Sequence, residues 1–131
     1  MKTAILLSIH PEYAEKIISG AKRYEYRKKL PKNPVSRIVI YETSPVMLCT
    51  AISEVEEELN DTPENLWNLT KEYAGISREA FFKYFEGRET AYAYRLGTVQ
   101  RIENRRLPFK APQSFKYLTD DEIDRLLDCG N

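Results

Sequence analysis

The sequence predicts an α+β fold: a small, curved mixed sheet or β-barrel of five to six strands, flanked by short helices. Short apolar or β-branched runs, such as residues 3–9 and 37–41, have the length and composition of strands rather than helices. Most of the predicted strands follow one another through turns, which favours a curved sheet over a doubly wound parallel one. The 131 residues predict a single domain over residues 1–131, large enough to bury a core.

The first third of the chain is predicted as strand, helix, strand. Residues 3–9 form an apolar run typical of a buried strand. Pro11 suits the first turn of the helix that follows, and Gly20 can end that helix in a left-handed conformation. A second strand is then predicted over residues 22–28, where a loop with two prolines breaks it.

The later elements are marked by capping residues and apolar spacing. The remaining predicted elements are strands at 37–41, 47–55 and 90–102 and helices that begin after Thr62, Ser77 and Thr119. Each of those three hydroxyl side chains can accept a hydrogen bond from the first helical turn. In the first of these helices, the apolar side, which should face the core, is predicted to be formed by Leu66, Trp67, Leu69 and Tyr73.

Composition excludes several classes of protein. No apolar run approaches the roughly 20 residues of a membrane span, and the N-terminal run is too short for a secretory signal, so we expect a cytoplasmic protein without a membrane partner. Cys49 and Cys129 are predicted to be reduced thiols. His10 is the one histidine and there is no phosphate-binding glycine loop, so we expect no metal and no cofactor.

The formal net charge is zero, but the charges are unevenly distributed. Residues 22–37 contain seven basic residues and one acid, whereas residues 54–64 contain six acids and no base. Such a chain can present a local basic patch despite its zero net charge. The alternative is that these runs are solvated faces near the ends of elements.

Lys22, Glu25 and Arg27 are the first candidate functional residues. In a strand, Lys22 shares a face with Tyr24 and Tyr26, whereas Glu25 and Arg27 lie on the other face, and Lys22 at the strand mouth can lean over either. Two cations and a carboxylate beside a helix end suit a phosphate or a base edge. A lysine beside a carboxylate can also act as a base. The alternative is a surface ion pair of little energetic value.

Aromatic residues and loop residues could complete such a site. The aromatic side chains that interleave with basic residues are Tyr24, Tyr26, Tyr41, Phe115 and Tyr117. Stacked bases need such platforms, although tyrosines of a half-buried sheet are commonly residues at the edge of the core. Ser44, Gln113 and Ser114 lie in predicted loops that could form the wall of a cleft.

Residues 7–27 resemble the opening of ASCH-domain proteins, which belong to the PUA-like superfamily. The hallmark of that family is Gly-x-Lys-x-x-Glu-x-Arg, present here as Gly20, Lys22, Glu25 and Arg27. Further segments resemble a prokaryotic branch of the same family, and they are residues 41–46, 74–77, 81–88 and 112–118. The resemblance implies a PUA-like small mixed β-barrel with a cleft beside the first helix, lined by the hallmark residues.

The same resemblance implies that the ligand is RNA or a nucleotide. Some relatives are regulators with an additional helix-turn-helix domain, for which this chain has no room. Others hydrolyse acetylated cytidine with a lysine, a threonine and a glutamate. Lys22 matches that lysine, Glu25 stands at the threonine position, and Glu72 is a candidate for the glutamate. Other members are described as ribonucleases.

Two functions follow as hypotheses. In the first, the cleft binds RNA or a nucleotide: Lys22 and Arg27 contact phosphate, Glu25 accepts from a base or ribose, and Tyr24 or Phe115 stacks. In the second, the protein is a small hydrolase of a modified nucleoside or of RNA, with Lys22 and Glu25 as an acid–base pair. A shifted pKa of Lys22 would favour the second hypothesis, because a lysine that only binds should stay charged.

Overall fold

The computed structural model of the protein describes residues 3–127, so that Cys129 lies outside the described residues. The strands are β1 (Ala4–Ile9), β2 (Tyr24–Arg27), β3 (Arg37–Glu42), β4 (Leu48–Asp61), β5 (Ala91–Arg105) and β6 (Phe115–Leu118). The helices are α1 (Pro11–Ser19), α2 (Pro63–Thr70), α3 (Arg78–Tyr84) and α4 (Asp120–Leu127), and a 3-10 turn, Lys71–Tyr73, follows α2.

All six strands form one mixed sheet in the order β2-β5-β4-β3-β1-β6. β1 and β3 are parallel, and the other neighbouring pairs are antiparallel. The β4–β5 pairing shifts register at three places, and such irregularities bend and twist a sheet. The sheet curls into a half-barrel with the helices around it, which confirms the predicted fold class.

Several element bounds differ from the predicted ones. β2 begins at Tyr24 rather than Lys22, because the amide of Lys22 donates to the Lys16 carbonyl (3.0 Å) and that of Arg23 to the Tyr73 carbonyl (2.9 Å). β4 and β5 extend beyond their predicted ends because they pair with each other: β4 continues to Asp61, opposite Ala91, and β5 continues to Arg105, opposite Cys49. β6 was not predicted from the sequence, and it gains its partner only by pairing with β1.

The buried side chains form three clusters that reflect the alternation of the strands. Ile5 and Leu7 of β1 point into the cluster under α1, whereas Leu6 points into the cluster under α4. Both faces of β1 are therefore covered, which explains its continuous apolar run. The third cluster joins Tyr24 and Tyr26 of β2 to α2 and α3. It fixes the position of residues 20–27, which contain the hallmark residues and which we call the hallmark segment.

Two helix boundaries carry information about the site. Gly20 ends α1 as predicted, with φ 88° and its amide donating to the Ile17 carbonyl at 3.1 Å. The prediction for Leu69 was wrong, since its side chain is 62% exposed, while Leu66 of the same helix is fully buried. Within residues 3–127, no helix combines the length and the apolar character that a membrane crossing requires.

Candidate functional site

A cleft of about 460 Å³ lies between the C-terminal end of β1, the start of α1, the hallmark segment and α3. We call it the central cleft. It is lined by Ser8, Ile9, His10, Tyr13, Lys22, Glu25, Tyr26, Arg27, Thr43, Ile76, Ala80, Tyr84 and Gln113. The three charged hallmark residues therefore meet at one cavity, although they come from a chain turn and a strand.

Lys22 is the most unusual group in the central cleft, because its side chain is charged in water but only 3% exposed here. Its Nζ donates a hydrogen bond to the Ala74 carbonyl at 2.8 Å. The same nitrogen lies 4.7 Å from the ring centre of Tyr26 and 5.5 Å from that of Tyr13. The aromatic faces and the carbonyl thus provide the interactions that water would make with the ammonium group of an exposed lysine.

Gly75 makes room for the stem of Lys22. A Cβ at position 75 would overlap Cβ, Cγ and Cδ of Lys22, and the φ of Gly75 is +70°, which an L side chain rarely adopts. Lys16 ties the same loop to α1, because its Nζ donates to the Gly75 carbonyl at 3.1 Å. Gly75 is thus part of the slot that holds the Lys22 side chain.

Burial changes the acidity of Lys22. Desolvation lowers the pKa of Lys22 from 10.5 to about 8, and the nearby positive charges of Lys16 and Arg27 act in the same direction. The carboxylate of Glu25 opposes this change by favouring the ammonium form. The result is an amine that can gain or lose a proton close to neutral pH, which an ordinary surface lysine does not do.

Glu25 and Arg27 form an ion pair on one face of β2, as their spacing predicts. Arg27 Nη2 and Nε lie 3.0 Å and 3.1 Å from Glu25 Oε2, and Nη2 also donates to the Ser8 carbonyl at 3.0 Å. The two side chains are 16% and 10% exposed. Because the pair is anchored to the backbone of β1, it presents a guanidinium of fixed orientation to the central cleft.

Tyr26 is fixed in position by a chain of hydrogen bonds to α2. Its hydroxyl lies 2.7 Å from Thr70 Oγ1, and that hydroxyl in turn donates to the Leu66 carbonyl at 2.7 Å. Burial raises the pKa of Tyr26 to about 12, so the phenol stays protonated. The ring therefore serves as a rigid neutral wall against the Lys22 ammonium.

The other predicted site residues are divided between the cleft and its surroundings. Gln113 lines the central cleft, whereas Ser44 lies in the turn after Thr43, and it is Thr43 that lines the cleft. Ser114 contributes its carbonyl to the Ser8 amide at 3.1 Å. Phe115 packs against the core cluster under α1, and Tyr24 is 9% exposed, so neither presents a free face to the central cleft.

Sequence reasoning did not select eight of the residues that line the central cleft, namely Ser8, Ile9, His10, Tyr13, Thr43, Ile76, Ala80 and Tyr84. His10 and Thr43 lie together at the mouth, with His10 Nδ1 and Thr43 Oγ1 separated by 3.4 Å. Tyr13 could have been found, because it is a tyrosine in the first turn of α1, close to the end of β1. Tyr84 carried no such signal, since only the packing of α3 against β2 brings it to the cleft.

A second cavity, of about 850 Å³, lies on the other side of Lys22, and we call it the outer cavity. Its polar lining includes Arg23, Arg95, Glu56 and Glu72. Glu72, which the resemblance suggests as a partner of Lys22, thus lies in the outer cavity and not in the central cleft. The arginines are already engaged: Arg23 stacks on Tyr73 with its Cζ 3.8 Å from the ring centre, and Arg95 pairs with Glu57 at 3.2 Å.

Comparison with known proteins places the chain in a family. The pattern of the ASCH domain matches residues 7–103. A protein of Zymomonas mobilis subsp. mobilis, named ASCH domain-containing ribonuclease, is 31% identical over an alignment that covers 93% of this chain and 88% of that protein.

Solved structures agree with the sequence match. The crystal structure of ASCH from Zymomonas mobilis matches with a TM-score of 0.87 and 32% identity, covering 94% of this chain and 92% of that one. A mutant of the Zymomonas protein, with phenylalanine in place of a tyrosine, matches with a TM-score of 0.87 and 31% identity, covering 94% and 95%. The resemblance noted in the sequence is confirmed, and the chain belongs to the ASCH domain family.

Proposed function

We propose that this protein binds single-stranded RNA in the central cleft and cleaves it, with Lys22 as the group that transfers the proton. The observation that carries the proposal is the burial of Lys22, which brings its pKa to about 8 beside an anchored guanidinium. The 31% identity with a protein named as a ribonuclease supports the same activity.

The geometry suits cleavage by the ribose 2′-hydroxyl. About a tenth of the Lys22 side chains are neutral at neutral pH, given a pKa of about 8. The neutral amine takes the proton of the 2′-hydroxyl, the 2′ oxygen bonds to phosphorus, and the bond from phosphorus to the 5′ oxygen breaks. The leaving oxygen takes a proton from a water molecule, and the hydroxide so formed takes the proton from the Lys22 ammonium. The products are a 2′,3′-cyclic phosphate and a 5′-hydroxyl end, and Lys22 is neutral again.

Arg27 would stabilise the charge that accumulates on the phosphate. Its hydrogen bonds within residues 3–127 use Nε and Nη2, so Nη1 is left for a phosphate oxygen. Because Glu25 and the Ser8 carbonyl already hold the guanidinium in position, little reorganisation accompanies substrate binding. Glu25 would act through this positioning of Arg27 and through its effect on the Lys22 pKa.

The same cleft also supports binding without cleavage. The Lys22 ammonium faces the rings of Tyr26 and Tyr13, which favours its charged form. With a pKa of about 8, most Lys22 side chains remain charged at neutral pH and can pair with a phosphate. In this second candidate function the protein is an RNA- or nucleotide-binding module.

The two candidates are separated by incubating end-labelled single-stranded RNA with the wild type, Lys22→Met and Lys22→Arg. For a ribonuclease, cleavage should rise with pH up to about 8, where Lys22 loses its proton, and then level off. Both variants should lose cleavage, because methionine has no titratable group and arginine stays protonated. Lys22→Arg should still bind RNA.

The products and the salt dependence complete the test. A ribonuclease of this kind should leave 2′,3′-cyclic phosphate ends, which resist periodate, whereas ends with free 2′- and 3′-hydroxyls are oxidised by it. A binding module should hold RNA with an affinity that falls steeply with salt and leave the strand intact. A wild-type protein that neither binds nor cleaves RNA would refute both candidates.

A further inference from the structure

Tyr84 presents an aromatic ring at the edge of the central cleft. The side chain lines the cleft and is 37% exposed, so part of the ring is accessible to a ligand. Phe85, which is buried, contacts the ring edge-on with 4.8 Å between centres and supports it from beneath. The Nζ of Lys28 lies 4.9 Å from the centre of the Tyr84 ring.

Basic residues adjoin this ring along the chain. Arg88 lies in the turn that follows α3, where its amide donates to the Phe85 carbonyl at 3.0 Å. Burial raises the pKa of Tyr84, and the positive charges of Arg27 and Arg88 oppose that change, whereas the carboxylate of Glu25, which is paired with Arg27, acts in the same direction as burial. We call Tyr84, Lys28 and Arg88 the Tyr84 rim.

The outer cavity is the alternative route for an RNA strand that extends beyond Lys22. It also has an arginine stacked on a tyrosine, Arg23 on Tyr73, but two glutamates line its wall and Arg95 is paired with Glu57. Its positive charges are therefore largely compensated, whereas neither Lys28 nor Arg88 of the Tyr84 rim forms an ion pair with another residue of the described range 3–127. A polyanion should leave the central cleft across the rim.

We propose that the Tyr84 rim is a subsite for a second nucleotide, so that the ligand is a single-stranded oligonucleotide rather than a mononucleotide. The inference rests on RNA binding in the central cleft. The second base stacks on the face of Tyr84 that the Lys28 ammonium covers in the free protein. The ammonium moves from that face to the adjoining phosphate, which Arg88 also contacts. A base inside a duplex cannot stack in this way, so single strands are selected.

The test measures binding of a mononucleotide, a dinucleotide and a hexanucleotide made with 2′-O-methyl ribose, which lacks the hydroxyl needed for cleavage. The wild type should gain about tenfold in affinity from one nucleotide to two, the scale of one stacked base. The double variant Lys28→Ala/Arg88→Ala should bind the mononucleotide as the wild type does and lose most of the gain. Tyr84→Ala should also lose the gain, and Tyr84→Phe should keep it.

Arg78→Ala is the matched control, because Arg78 on the same helix also stacks on an aromatic ring, 4.8 Å from the centre of Phe82, and does not line the cleft. This control should keep the full gain. If Lys28→Ala/Arg88→Ala and Tyr84→Ala keep the gain in affinity, the rim is not a subsite for a second nucleotide. That result would not contradict RNA binding in the central cleft. A gain lost only in Arg23→Ala would place the strand in the outer cavity. Failure of the wild type to bind any of the three would refute the cleft and the rim together.

Discussion

Two arginine–glutamate pairs lie on opposite sides of Lys22, and they differ in burial rather than in contact distance. In the central cleft, Arg27 and Glu25 are 3.0 Å apart with side chains 16% and 10% exposed. At the outer cavity, the lining residue Arg95 lies 3.2 Å from Glu57, with side chains 47% and 52% exposed. Water screens the outer pair strongly, so only the inner pair can impose an orientation on a ligand.

The surroundings of an arginine–glutamate pair, and not the residue types, determine whether the pair is held in a fixed orientation or is part of a polar surface. Arg27 has a third tie, to the Ser8 carbonyl, which a freely moving side chain on the surface would lack. Lys22, which borders both cavities, directs its Nζ to the Ala74 carbonyl and to the faces of Tyr13 and Tyr26. Both rings line the central cleft and not the outer cavity.

The largest expected effect comes from filling the slot that holds Lys22. Gly75→Ala should lower the free energy of unfolding by about 4 kcal/mol, because a Cβ there both overlaps the Lys22 stem and stands at positive φ. Gly87→Ala is the control: its φ is +77°, but nothing lies within 4 Å of the added Cβ, so the expected cost is about 1 kcal/mol. Equal losses in urea unfolding would show that the slot around Lys22 is not tight.

The pH dependence of stability tests the buried lysine. Below pH 8, Lys22 is protonated in both the folded and the unfolded chain, and the folded state bears the cost of the buried charge. Between pH 8 and 10.5, the unfolded chain binds a proton that the folded chain has released, so stability rises with pH. A pKa lowered from 10.5 to about 8 corresponds to about 3 kcal/mol.

The measurement compares the unfolding free energy of the wild type with that of Lys22→Met across this pH range. The wild type should gain about 3 kcal/mol on the variant between pH 8 and 10.5. Lys29→Met, which removes an exposed lysine, corrects for the loss of one surface charge. Parallel curves for the wild type and Lys22→Met would contradict the lowered pKa.

The smallest expected effect separates the two ion pairs directly. Glu25→Gln should cost about 2 kcal/mol, because Arg27 keeps its charge in a largely buried position and loses its carboxylate partner. Glu57→Gln should cost less than about 1 kcal/mol, since Arg95 is well exposed to water. Thermal unfolding of both variants measures the two losses of stability. Similar losses would show that the two ion pairs do not differ in their contribution to stability.

The sequence was sufficient to predict most elements and the hallmark residues. Apolar runs, capping hydroxyls and Gly20 act locally, through steric and hydrogen-bonding preferences of a few neighbouring residues, so they can be read along the chain. β6 and the far ends of β4 and β5 could not be predicted, because their stability comes from pairing with strands distant in sequence. The exposure of Leu69 depends likewise on which side of α2 is covered.

By itself, the sequence determined the family, the α+β composition and the charged trio of Lys22, Glu25 and Arg27, since these follow from residue identity and local spacing. Tertiary structure alone decided that Lys22 is buried against Ala74 and Gly75, which lie more than 50 positions away in the chain. It also decided that Tyr84 reaches the same cleft. The physical reason is that desolvation and stacking depend on packing between distant segments, and packing of this kind leaves no local pattern in the chain.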